Sequence, residues 1–141
     1  MLLAPLLIVG GAGAATPPMI EGRWLTDDGK AVIALGRCDR SLCGTISEIL
    51  DKAPNVPATD SRNPDPRLRT RRLIGLPILT GFSQSGPVWK GGRAYDPKTG
   101  SRYRATLSLQ GADRLQVTGC VLLFCQSRYW TRVRSSAQSR P

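Results

Sequence analysis

The chain has 141 residues, room for one domain of ordinary size. Its 20 Lys and Arg against 10 Asp and Glu give a net charge of +10, and it contains no histidine. That balance attracts polyanions such as anionic lipid headgroups or glycan phosphates, although a solvated, arginine-biased surface is the favoured explanation. The missing histidine excludes Ser-His and Cys-His catalysis.

Leu2 to Val9 is an apolar run, followed by Gly10-Gly11-Ala12-Gly13-Ala14-Ala15. This reads as a signal h-region with a small-residue cleavage site after Ala14 or Ala15, although no Lys or Arg precedes it. The run is too short to cross a bilayer, which takes about 20 apolar residues. The expected organisation is a signal peptide over residues 1–15 and a single β-barrel domain over 16–141, with its core at 22–133. The expected location is periplasmic or secreted, with no membrane-spanning segment.

From Gly22 onwards the pattern is all-β. The expected strands are Gly22–Thr26, Ala31–Cys38, Leu42–Leu50, Leu76–Gln84, Val88–Tyr95, Arg102–Leu109, Arg114–Cys120 and Phe124–Val133. Leu42, Ile46 and Leu50 are expected to share one side of the third strand. Turn residues such as Asp27-Asp28-Gly29-Lys30 and Gln110-Gly111-Ala112-Asp113 separate the runs. Between the third and fourth strands lie four prolines (Pro54, Pro57, Pro64, Pro66), which exclude a central strand there. That loop holds one predicted short helix, capped by Asp65, begun by Pro66 and running over Arg67–Leu73 to Gly75. About eight strands joined by short hairpins can close into an antiparallel barrel.

Cys38, Cys43, Cys120 and Cys125 form two evenly spaced pairs. In a short exported domain they read as disulfides, with three possible connectivities. Pairing within each hairpin is preferred, because each pair flanks a bend, Asp39-Arg40-Ser41 or Leu122-Leu123. A zinc site would need closer spacing and usually histidine, so no metal or cofactor is expected.

Four motifs carry a resemblance. They are Gly22-Arg23-Trp24, Asn63-Pro64-Asp65-Pro66, Gly91-Gly92-Arg93-Ala94-Tyr95-Asp96-Pro97 and Tyr129-Trp130-Thr131-Arg132-Val133. Together they make the chain resemble the bacterial envelope family known as domain of unknown function 2147, over roughly Gly22 to Val133. The resemblance implies an antiparallel, lipocalin-like (calycin-type) barrel of about eight strands, and it implies no particular activity. Gly22-x-Trp24 with Arg132 is also similar to the lipocalin pattern, in which the tryptophan closes one barrel end under a stacked arginine. Cys120 and Cys125 depart mildly from the family pattern.

Strict alternation would put Trp89, Gly91, Arg93 and Tyr95 on one face of the fifth strand and Lys90, Gly92 and Ala94 on the other. The glycine pair suits a bulge or bend, or else space for a ligand beside the aromatic residues. The expected ligand-binding set is Trp89, Gly91, Gly92, Arg93, Tyr95 and Tyr103. A cation at the mouth would come from Arg93 or from Arg67, Arg69 and Arg71. The leading reading is an exported, non-enzymatic barrel for a small apolar or amphipathic anionic molecule. The alternative is an envelope interaction module with a packed interior and a basic surface for an anionic envelope component. Nucleic acid is not expected, since no recognised binding motif is present. Glu48, inside a strand, is the carboxylate singled out for burial.

Overall fold

The computed structural model describes residues 2–6, 10 and 19–134. The expected cleavage site at Ala14 or Ala15 and the polar tail from Ser135 lie outside the described residues. Eight strands follow one another: β1 (Gly22–Leu25), β2 (Ala31–Cys38), β3 (Ser41–Ile49), β4 (Pro77–Ser85), β5 (Val88–Asp96), β6 (Ser101–Leu109), β7 (Arg114–Val121) and β8 (Phe124–Arg132). Every expected strand is present, with ends displaced by no more than one residue. Each strand pairs antiparallel with the next, and β8 pairs with β1, so the sheet closes into a barrel. Closure satisfies both edges of the sheet.

This up-and-down order sorts the connections into two ends. The β1–β2, β3–β4, β5–β6 and β7–β8 connections gather at one end. The other three hairpins lie at the opposite end with the start of β1. Among the described residues no helix is long and apolar enough to cross a membrane.

The end that carries the start of β1 is shut. Trp24 is fully buried there, and its indole nitrogen donates to the Ile20 carbonyl at 3.0 Å. The Arg132 guanidinium stacks 4.3 Å from the indole centroid, a cation–π contact. Its nitrogens donate to the carbonyls of Met19, Glu21 and Ala112, which ties the entry of β1 to the β6–β7 turn. Gly22 has φ +138, and a Cβ there would lie 2.6 Å from an Arg132 nitrogen, so only glycine lets the guanidinium pass. Above this plug pack Leu42, Phe82, Leu107 and Leu115, all fully buried, with Trp89 beneath the Arg37 guanidinium.

Two expectations about strand faces are corrected. On β5, Gly91 has φ +75, and the register with β6 shifts between Trp89 and Gly92. This bulge inserts one residue, so Trp89, Gly92 and Ala94 face the interior while Lys90, Gly91 and Arg93 are exposed. The space left by Gly92 is already filled, since a Cβ there would sit 2.4 Å from the Phe82 ring. On β3 a second irregularity opposite Val32 and Ile33 breaks the alternation. Leu42 and Ile46 are buried, whereas Leu50 lies beyond the strand and is 40% exposed.

The predicted helix shrinks to a single 3-10 turn, Pro66–Leu68. Asp65 does cap it, accepting from the Arg67 backbone N–H at 3.0 Å. Beyond Leu68, bonds to the rest of the loop replace helical ones: Asp60 N–H donates to Arg71 O, and Leu73 N–H donates to Ala58 O. An isolated short helix is marginal, so these tertiary bonds win. Both disulfides join neighbours, Cys38–Cys43 at the shut end and Cys120–Cys125 at the other.

Candidate functional site

The half of the barrel away from Trp24 holds a cavity of about 950 Å³. That volume lies within the range of small-molecule pockets, about 300–1,000 Å³. Its inner wall is apolar: Ile33 from β2, Ile46 from β3, Ile78 from β4, Val117 from β7 and Trp130 from β8. Its rim comes from the turns at that end, with Asp27, Asp28, Pro97 and Lys98, and from Val121 and Phe124. The barrel interior is therefore not packed throughout, as the alternative reading required.

Polar groups join this apolar wall from several strands and turns. Tyr103 lies across β7, where Gly119 makes room; a Cβ there would sit 2.6 Å from the ring. Burial foremost, and then the negative charge of Asp96, push the Tyr103 hydroxyl above its ordinary value. It therefore stays protonated at neutral pH and can donate. Arg128 lines the cavity from β8 and is held by Asp27 at 3.5 Å. At the rim Lys98 pairs with Asp28. Burial works against ionisation of Asp28, but hydrogen bonds from Lys98, Thr26 and the Lys30 backbone outweigh it and bring the carboxyl down to about 2. The rim thus carries two ion pairs and the further carboxylate of Asp96 around an apolar well.

Of the residues expected to bind a ligand, Tyr103 lines this cavity and Tyr95 borders it. Trp89 packs near the shut end, and Arg93 is exposed on the outer wall opposite Thr80. Gly91 forms the bulge, and Gly92 accommodates Phe82. The loop arginines are committed elsewhere: Arg67 to Asp65, Arg69 to the Asn63 carbonyl and Arg71 to Asp60. Arg128, Gln126 and Phe124 were missed. Their signal was present, because a period of two counted back from buried Trp130 places all three on the inner face.

Outside the barrel wall a second polar cluster fastens the long β3–β4 loop. Asp60 is completely buried and accepts from the Tyr95 hydroxyl at 2.5 Å, the Asn63 amide at 2.8 Å and Arg71 at 3.0 Å. Arg71 and Arg102 also lie over the Tyr95 ring. Gly100, with φ +74, would carry a Cβ 2.2 Å from the Arg62 carbonyl, so the loop sits hard against the β5–β6 turn. The buried carboxylate is accordingly Asp60, whereas Glu48 is exposed and pairs with Arg23. Among the described residues no cluster of His, Cys, Asp or Glu could hold a metal ion.

Comparisons with known proteins agree with this geometry. A solved structure described as a Helicobacter pylori protein belonging to the lipocalin family superposes with a TM-score of 0.74, covering 86% of each chain at 18% identity. At that identity the likeness establishes a shared fold. No curated protein matches the sequence. Residues 22–132, which run from the glycine beneath the stacked arginine to that arginine itself, match the family described as an uncharacterized protein conserved in bacteria, DUF2147, and the chain belongs to that family.

Proposed function

We propose that the protein is an exported, non-enzymatic carrier that binds one small apolar or amphipathic molecule in the open half of its barrel. The observation that carries this reading is the cavity of about 950 Å³, with an apolar wall and a charged rim. A flexible chain would lie against Ile33, Ile46, Val117 and Trp130. An anionic head would meet Arg128 and the Tyr103 hydroxyl. Arg128 is suited to this, because it lines the cavity and its side chain is 60% exposed.

Tryptophan fluorescence of the oxidised protein, titrated with dodecanoate and with dodecanol, tests the proposal. Both probes are expected to bind saturably and perturb the Trp130 emission. Arg128→Gln should weaken dodecanoate about tenfold, the scale of one lost charge-assisted hydrogen bond, and leave dodecanol nearly unchanged. Val117→Phe, which fills the cavity, should weaken both. Absence of saturable binding by either probe rules out the carrier reading.

Export is supported by the two disulfides, which persist in oxidising compartments, and by the apolar N-terminal run. The intact mass of protein recovered from the periplasm or medium should lack residues 1–14 or 1–15. A full-length mass in the reducing cytoplasm would contradict export.

A further inference from the structure

The β7–β8 hairpin ends in four consecutive apolar residues that no other described residue covers. Val121, Leu122, Leu123 and Phe124 are 59%, 80%, 95% and 82% exposed. Leu122 and Leu123 form the two-residue turn itself, since Val121 pairs with Phe124. Leu122 has φ +55, a backbone region that disfavours a bulky residue and that glycine fills best in such turns. Neither packing nor turn chemistry accounts for this leucine, and a strained exposed residue points to a role outside the fold.

The barrel contains its own comparison. The β2–β3 hairpin is also stapled, by Cys38–Cys43, but diagonally, since Cys38 opposes Ser41 and Cys43 opposes Gly36; its Asp39, with φ +54, stands at the turn position matching Leu122. There the turn is Asp39-Arg40, both exposed and polar. The same two-residue turn therefore carries a polar tip at the shut end and an apolar tip at the open end. The Cys120–Cys125 bridge joins directly opposed residues one position below Val121 and Phe124. The tip is thereby held out as a fixed wedge.

Charge beside the tip selects the partner. Arg104 lies opposite Cys120, and one of its Nη atoms donates to the Leu122 carbonyl at 3.2 Å. Arg102 stands two residues nearer the open end on the same outer face. Among the described residues neither arginine has a carboxylate within ion-pairing distance. Apolar side chains at the extremity, with two cations beside them that no described carboxylate pairs (Arg102 rests on the Tyr95 ring), match the two signals that stable binding at an anionic membrane interface requires. A two-residue tip is too small to bury the area of a stable protein dimer, about 1,200–2,000 Å².

We propose that the Leu122–Leu123 tip, backed by Arg102 and Arg104, docks the open end of the barrel onto the surface of an anionic lipid bilayer. The leucines enter the headgroup region, and the arginines meet lipid phosphates. This surface stands whether or not the cavity carries a ligand. If it does, docking brings the cavity mouth, which Val121 and Phe124 border, to the membrane surface.

Flotation of the oxidised protein with vesicles tests the docking. One set is a mixture of phosphatidylethanolamine and phosphatidylglycerol, and the other is phosphatidylcholine alone. The protein is expected to float with the anionic set and only weakly with the neutral one. Leu122→Gly/Leu123→Ser should lower partitioning at least about tenfold while keeping or raising the melting temperature, because glycine suits the turn. Arg102→Gln/Arg104→Gln should lower binding to the anionic set about tenfold or more and reduce its salt sensitivity. The proposal is overturned by failure to float with anionic vesicles, or by flotation that the leucine variant leaves undiminished. It is equally overturned if the protein instead forms a concentration-dependent dimer that the leucine variant abolishes.

Discussion

Trp24→Ala is expected to lower the unfolding free energy by about 3–5 kcal/mol, the range for large aromatic truncations in a packed core. The indole is completely buried, and the substitution removes the surface on which the Arg132 guanidinium rests. Arg132→Lys should also be costly. A single ammonium cannot reproduce a planar fork that donates to Met19, Glu21 and Ala112 while stacking on a ring. Urea denaturation of the oxidised protein measures both losses. A change below about 1 kcal/mol for Trp24→Ala would show that this plug does not hold the barrel end. Since the cavity lies in the opposite half of the barrel, ligand binding by the remaining folded population should persist.

Asp60→Ala should cost about 3–5 kcal/mol, the usual penalty for removing one partner of a buried ion pair. Arg71, about one-third exposed, can recover some hydration, which favours the lower part of that range. Tyr95→Phe removes one hydrogen bond to Asp60 and should cost about 1–2 kcal/mol. Loss of the anchor frees the β3–β4 loop first, so limited proteolysis should cut between residues 50 and 76 before the barrel unfolds. Unchanged protease resistance in Asp60→Ala would count against this anchoring role.

The same cluster sets a pH window. Burial alone would raise the Asp60 carboxyl, but the donors Tyr95, Asn63 and Arg71 outweigh it and hold the carboxyl below its ordinary 3.8. A lowered folded value means that the ion contributes its stability above pH 3.8, and that this is lost as pH falls through the lower folded value. Tyr95 shifts the other way. Burial, then the Asp60 hydrogen bond and charge, push its hydroxyl from 10.0 up to about 12. That contribution is complete below pH 10 and disappears as pH rises towards 12. Asp60→Asn should flatten the acid limb of a stability–pH curve, and Tyr95→Phe should flatten the alkaline limb.

The barrel and its strand ends were legible in the sequence because they depend on local rules, whereas closure at Trp24 under Arg132 came from the resemblance to the lipocalin pattern. Alternation marks the strands, turn residues separate them, and short connections force neighbours to pair. The disulfide partners followed for the same reason, since each pair flanks a two-residue turn.

The faces of β5 and β3 were decided by the tertiary structure. One inserted residue at Gly91 reverses every side chain beyond it, and period-two counting has no term for a bulge. The predicted helix failed because Asp60 and Arg71, eleven residues apart, meet across the loop and bond to each other. Asp60 reads as an ordinary loop aspartate until Tyr95, from a strand 35 residues away, closes over it. The cavity, too, depends on volume that no linear pattern records. Phe82 and Trp89 fill the shut half, while small or retracted side chains such as Ala31, Gly119 and Val117 leave the other half open. Which half a residue occupies follows from closure of the sheet, and closure sums the register of all eight strands.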